Sequence, residues 1–413
     1  MKKTIFLLSL FLAAAAFAGT EGVKKTPAPG KAEITSVPAE VKNAKTEKNT
    51  PAKTVRKNIP APVKAPALTD PRSWTMVVVP DIQTYIKQIE NHGILDMMLA
   101  WIVRRRDEMN IRQVLFTGDL VYFNDTGRVA KRDFYLKSGR KTDLVADEQW
   151  QAVSRILKRL DGEVPYILCT GNHDYGIHSS ENRKSYFPTY FPTSRNPLTR
   201  RQLFECGPNS FGKKTLENSA YEFTAPYPDN RKFLVITLQF APTDSDLAWA
   251  KKIADLPCFE NHIGIVLTHS YMYANGKRIQ KENYAISKKD PASKKGGNAG
   301  EAIFQKLVKP AGNIRLVVCG HVCKTNNWEA SVGFSTDKND SGKTVAQLVF
   351  NTQAIGGGFS GNGGDGWLRL LEFMPDRKTV KATTFSPLFY SSPSTRHLSW
   401  KTDARNEFTF EIQ

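Results

Sequence analysis

From Thr75 onward the chain repeats one pattern, a short apolar run followed by apolar residues at helical spacing. Thr75-Met76-Val77-Val78-Val79 precedes Ile94, Leu95, Met98, Trp101 and Ile102. Gln113-Val114-Leu115-Phe116 precedes a helical pattern around Trp150, Val153, Ile156 and Leu157, and Pro165-Tyr166-Ile167-Leu168 follows. This is βαβαβ, which commits the chain to an α/β sheet. A second set predicts strands near 233–239, 263–268, 314–319 and 345–351, with helices near 245–255 and 300–309. The end, Trp367 to Thr384 and Phe408 to Ile412, reads as strand. The expectation is one large α/β domain with two sheets.

What ends those runs carries the chemistry. Val79-Pro80 leads to Asp81-Ile82-Gln83, Phe116-Thr117 to Gly118-Asp119-Leu120-Val121-Tyr122, and Leu168-Cys169-Thr170 to Gly171-Asn172-His173-Asp174. Val266-Leu267-Thr268 leads to His269, and Val317-Val318-Cys319 to Gly320-His321-Val322-Cys323. Each run thus delivers a metal-capable side chain at its carboxyl end, the edge of an open α/β sheet where ligands bind. Singly, an Asp there is a turn or cap residue; together they point to one crevice. Carboxylate, amide and imidazole suit borderline or hard divalent ions such as Zn, Mn, Fe or Mg. The other histidines, His92, His178, His262 and His397, lack this setting, and of them His178 is the one that could reach the rim.

Ahead of the pattern lies an appendage. Residues 1–18 open with Lys2 and Lys3, continue through Ile5 to Leu12 and end in Ala16-Phe17-Ala18, which reads as a secretory signal peptide cut after Ala18. Its apolar stretch is short for an uncleaved membrane anchor, and no other apolar run approaches bilayer length. Residues 19–70, rich in Lys, Pro, Ala, Thr and Glu, cannot bury enough surface to offset the entropy of ordering and read as a solvated linker; residues 71–413 are the folded domain. Of the formal net charge of +18, the signal peptide holds +2 and the linker +5, which leaves +11 on the domain. That surplus suits an anionic substrate better than a nucleic-acid partner, because no basic stripe is interleaved with aromatics. Lys288, Lys289, Lys294 and Lys295 could form a basic rim, although surface solubility accounts for such lysines as well. The glycine cluster 356–366 reads as a rim loop, without the spacing of a phosphate cradle.

Five cysteines follow in the domain. Cys169 and Cys319 end buried strands, as small apolar thiols do; Cys206 and Cys258 fall in loop-like sequence and could pair.

The order Asp81, Gly118-Asp119, Gly171-Asn172-His173-Asp174, Val266-x-x-His269, Gly320-His321 resembles the calcineurin-like metallophosphoesterases, whose pattern is D-x-H, GD, GNH[DE], a His, and GHxH. The tail Gly366 to Phe373, with Ser386-Pro387, resembles the closing strands of secreted bacterial members. The resemblance implies a four-layer αββα sandwich with a dinuclear site of Zn, Fe or Mn, acting on phosphate mono- or diesters. Carried over, Asp119 bridges both ions; Asn172, His269 and His321 complete one of them and Asp81 belongs to the other. His173 then stands beside the phosphate as stabiliser or general acid, and Asp174 either orients it or caps backbone.

Two positions depart from the pattern. Gln83 stands where motif one has His, and Cys323 where GHxH has its last His. Gly118-Asp119-x-x-Tyr122 resembles the GDxxY of purple acid phosphatases, so Tyr122 is either a replacement ligand or a packing residue. Cys323 is either a soft thiolate ligand or faces away. The rivals to a phosphoesterase are a non-catalytic binding protein on the same fold and an extracellular nuclease.

Overall fold

The computed structural model describes residues 63–125, 142, 144–282 and 297–413. The expected signal peptide, residues 19–62 of the expected linker, and Lys288, Lys289, Lys294 and Lys295 lie outside the described residues. Strands β1 (Trp74–Val79), β2 (Ile111–Phe116) and β3 (Tyr166–Leu168) run parallel, with the helices His92–Arg105 and Ala146–Leu157 between them. Then come β4 (Leu203–Pro208), β5 (Lys214–Thr224), β6 (Lys232–Thr237), β7 (Ile263–Leu267), β8 (Ile314–Cys319), β9 (Val332–Lys338) and β10 (Thr344–Phe350). The chain closes with β11 (Leu368–Phe373), β12 (Thr379–Phe385), β13 (Trp400–Lys401) and β14 (Phe408–Glu411).

Two mixed sheets result. One has the order β13-β12-β11-β1-β2-β3, with β14 also on β12; the other has the order β4-β5-β6-β7-β8-β10-β9. Within the second sheet, β6, β7, β8 and β10 are mutually parallel.

Both faces of each central strand are covered, which is why the runs are apolar throughout. In β1, Val77 and Val79 turn to a core shared with Leu95, Met98, Ile102, Trp150 and Val153 of the two helices. Met76 and Val78 turn the other way, to a core shared with Val235, Ile265, Leu267, Leu316 and Val318 of the second sheet. A third core joins Val266 and Val317 to Leu247, Ile253, Ile303 and Leu307 of the helical segments Asp244–Ala254 and Gly300–Val308. Helix, sheet, sheet and helix are therefore stacked as the αββα sandwich that the resemblance implied. Trp74 centres the middle layer, stacked on Phe373 with ring centroids 4.1 Å apart.

Some expectations shift. The linker reading ran to residue 70, yet Pro66 is already buried, and Thr69 donates its backbone N–H and its hydroxyl to Glu372 at 2.5 and 2.8 Å. None of the five cysteines is bonded to another; Cys206 lies in β4 and Cys258 on an exposed turn, so their pairing is not formed. The glycine cluster is tied down. Thr84 Oγ1 lies 3.2 Å from the Gly363 carbonyl, Asn91 Nδ2 donates to the Gly361 carbonyl at 2.8 Å, and the Gly366 N–H donates to Tyr85 at 3.0 Å.

Candidate metal centre

Strand register brings the site together. Val79 is level with Phe116 and Phe116 with Leu168, so Asp81, Asp119 and Asn172 leave the first sheet along one edge. Leu267 is level with Val318, and Cys319 with Val349, so His269, His321 and Asn351 leave the second sheet in the same way. Two glycines allow the approach. A Cβ on Gly171 would lie 2.1 Å from Asp119 Oδ1, and one on Gly320 would lie 2.1 Å from Asp81 Oδ1. Asp119 and His321 hold left-handed backbone, with φ of 50° and 64°, a strain that clusters at functional sites.

The tightest convergence surrounds His269 Nε2. It lies 3.1 Å from His321 Nδ1, 3.2 Å from Asn172 Oδ1 and 3.3 Å from Asp119 Oδ2. Partners on the far sides fix what each atom offers. His269 Nδ1 lies 2.8 Å from the Thr117 carbonyl, which only accepts, so that nitrogen carries the proton and Nε2 the lone pair of the neutral ring. Asn172 Nδ2 donates to Ser179 Oγ at 2.9 Å, which turns its carbonyl oxygen inward. Glu282 Oε1 stands 3.6 Å from His321 Nε2, its Oε2 accepts from Ser270 Oγ at 2.6 Å, and His321 Nδ1 faces inward.

Four lone pairs facing one another in a buried space repel unless a cation lies between them. The set therefore fits a metal ion, and Asp119, His269 and His321 form the cluster of potential ligands found among the described residues. Without an ion, a proton is drawn in instead. Burial works to lower the His269 imidazole, but Asp119 and Asp81 outweigh it and push it up to about 10. Burial works to raise Asp119, and the charges of His269 and His173 outweigh it and hold that carboxyl below its usual range.

Asp81 is held differently. Oδ1 accepts from Thr117 Oγ1 at 2.7 Å. Oδ2 accepts from the His321 N–H at 2.9 Å, from Asn351 Nδ2 at 2.6 Å and from Gln353 Nε2 at 3.3 Å. Burial raises the Asp81 carboxyl to about 7, with His269 opposing. Gln83 Nε2 donates to Asp119 Oδ2 at 2.9 Å. The Cys323 thiol is pushed up by burial and by the charges of Asp81 and Asp119.

The model of the calcineurin-like phosphoesterase family matches residues 75–324, the span that carries every one of these motifs. The chain belongs to that family. The calcineurin-like phosphoesterase fold thus accounts for the two sheets and for the edge at which the side chains meet. Bacillus subtilis (strain 168) has a similar protein, the uncharacterized protein YvnB, 25% identical over 325 residues that make up 76% of this chain and 20% of YvnB. The chain therefore spans about a fifth of the length of that relative. Among solved structures, GAP50, the anchor in the inner membrane complex of Plasmodium, aligns over 83% of this chain and 89% of its own at 10% identity, with a TM-score of 0.40.

Around this cluster the remaining predicted residues sort by contact. His173 stands at the rim. Its backbone N–H donates to Asp119 Oδ1 at 2.9 Å, and its Nδ1 lies 2.9 Å from the Tyr122 carbonyl, which leaves Nε2 to face outward. Burial lowers its pKa. The ring of Tyr122 stacks on the His173 imidazole with centroids 5.0 Å apart. His178 does reach the rim, edge-on to His173 at 5.2 Å. Asp174 takes the backbone reading, because its carboxylate accepts N–H groups of Leu120 at 2.8 Å, Val121 at 3.2 Å and Gly171 at 2.8 Å. It clamps the Asp119 loop and leaves the orientation of the His173 ring to the Tyr122 carbonyl.

Four residues escaped the sequence reading. Asn351 and Gln353 follow an apolar strand just as His321 follows β8, and that signal was legible. Glu282 and Lys87 belong to no strand end. Lys87 is almost wholly buried with Nζ 4.3 Å from the centre of the Tyr122 ring, and burial lowers it to about 8.

Proposed function

We propose that this chain is an exported hydrolase of phosphate mono- or diesters, working through a divalent metal ion held by Asp119, Asn172, His269 and His321. The observation that carries the reading is the convergence of His321 Nδ1, Asn172 Oδ1 and Asp119 Oδ2 within 3.3 Å of His269 Nε2. Export rests on the amino-terminal sequence. A bound divalent ion supplies Lewis acidity toward a phosphoryl oxygen and lowers the pKa of water.

The protein's own residues do the rest. Asp119 contributes the negative charge that keeps a cation in a buried space, and the Gln83 amide and the His173 N–H fix the direction of its carboxylate. Asn172 and His269 arrive pre-oriented by Ser179 and Thr117, so little ordering cost falls on binding. His173 keeps Nδ1–H on the Tyr122 carbonyl and presents Nε2 to the phosphate. Burial pulls its pKa down, and the negative charge of an arriving ester favours its protonated form. That form hydrogen-bonds a phosphoryl oxygen or passes its proton to the departing alcohol.

A panel of small mono- and diesters, assayed before and after chelation and again after restoring Mn or Zn, tests the reading. Hydrolysis that disappears with the metal and returns with it is expected; an apo protein as active as the reloaded one contradicts it.

A further inference from the structure

The dinuclear arrangement implied by the sequence resemblance requires a second set of inward lone pairs, around Asp81 and the far side of Asp119. Those oxygens already face donors. Asp81 Oδ2 accepts three N–H groups, from His321, Asn351 and Gln353, and Oδ1 accepts the Thr117 hydroxyl. Accepting three hydrogen bonds leaves Oδ2 with no lone pair for a metal, so of the Asp81 carboxylate only Oδ1 keeps one. On Asp119, the oxygen that faces His269 also accepts the Gln83 amide at 2.9 Å. Both residues at which this chain departs from the family pattern, Gln83 and Cys323, belong to this second position. A Gln amide does not replace an imidazole as a ligand of comparable strength.

The amides make electrostatic sense as a substitute. Two buried carboxylates, Asp81 and Asp119, need compensation, which a second cation would give by charge and which N–H donors give by hydrogen bonding. Gln83 Oε1 and Gln353 Oε1 are buried without a protein partner.

We propose that this chain holds one metal ion per molecule, at Asp119, Asn172, His269 and His321, and that the donors of Gln83, Asn351 and Gln353 stand in for the second. The proposal rests on the reading of that position as a metal centre. It makes the two departures from the family pattern one coordinated change, with Asn351 and Gln353 completing it from the end of β10.

The test is stoichiometry. Full-length protein is stripped with chelator, reloaded with excess Mn2+, freed of loose metal by gel filtration and analysed for metal per chain, with electron paramagnetic resonance of the same sample. One equivalent with an uncoupled Mn2+ spectrum is expected. Two retained equivalents, or an exchange-coupled spectrum, overturn the proposal. No retained metal overturns both this proposal and the functional reading, whereas one equivalent without ester hydrolysis overturns the functional reading alone.

Discussion

His269 Nε2 and His321 Nδ1 face each other at 3.1 Å, with the Thr117 carbonyl 2.8 Å behind His269 Nδ1 and the Glu282 carboxylate 3.6 Å behind His321 Nε2. Two imidazole lone pairs are stable at that separation only with a cation between them, whether a proton or a metal ion. Most of the expected behaviour of the protein follows from which of the two is there.

Metal affinity should rise with pH. The metal-free fold holds the His269 proton up to about 10, above its ordinary 6.5, so binding a metal expels a proton throughout the neutral range. One proton released per ion corresponds to about a tenfold gain in affinity per pH unit. The same shift stabilises the metal-free fold fully below about 6.5 and is lost as pH rises towards 10. Titration of apo protein with Zn or Mn at pH 6, 7 and 8 checks the slope; a flat profile contradicts the proton on His269.

Glu282 should matter to the metal more than to the fold. It sits 3.6 Å from His321 Nε2 and is fixed by Ser270, so Glu282→Gln weakens the hold on the His321 ring. The expected cost is about tenfold in metal affinity, measured by competition with a chelating dye, with the melting temperature of the apo protein unchanged. A drop in apo stability with intact affinity would make Glu282 a structural residue only.

His173 separates binding from turnover. His173→Asn should leave metal content unaltered, because the ring faces away from the four inward lone pairs, and should lower kcat by on the order of 10² to 10⁴. Metal analysis alongside steady-state kinetics on one ester decides it. Equal loss of metal and rate would instead place His173 among the ligands.

Packing of the middle layer sets stability. Trp74 is fully buried, stacked on Phe373 and hydrogen-bonded from Nε1 to Asp229 at 2.8 Å. Trp74→Ala should cost about 3–5 kcal/mol by chemical denaturation. A loss below about 1 kcal/mol would mean that the two sheets pack independently of it.

Sequence made the parallel strands and their carboxyl ends legible because strands covered on both faces are apolar without interruption. β5 escaped for the opposite reason. Its Glu217, Asn218 and Ser219 are buried and bonded to Asn209, Thr215, Asp246 and Thr237, so the apolar alternation is broken where the strand is most enclosed. Asp119, Asn172, His269 and His321 were readable as one set because register delivers them together. Asn351 and Gln353 obey the same register, but amides carry less chemical signal than imidazoles. Glu282 could be recognised only through the ring it touches, and the carboxylate of Asp174 only through the backbone it clamps.

The claim on which the rest depends is that Asp119 faces a catalytic cation. The direct measurement compares Asp119→Asn with wild type, both reloaded with the same metal, on the most reactive ester of the panel. The account predicts loss of retained metal and a rate lower by at least about 10²-fold. A folded variant that keeps its metal and hydrolyses the ester at the wild-type rate would contradict it.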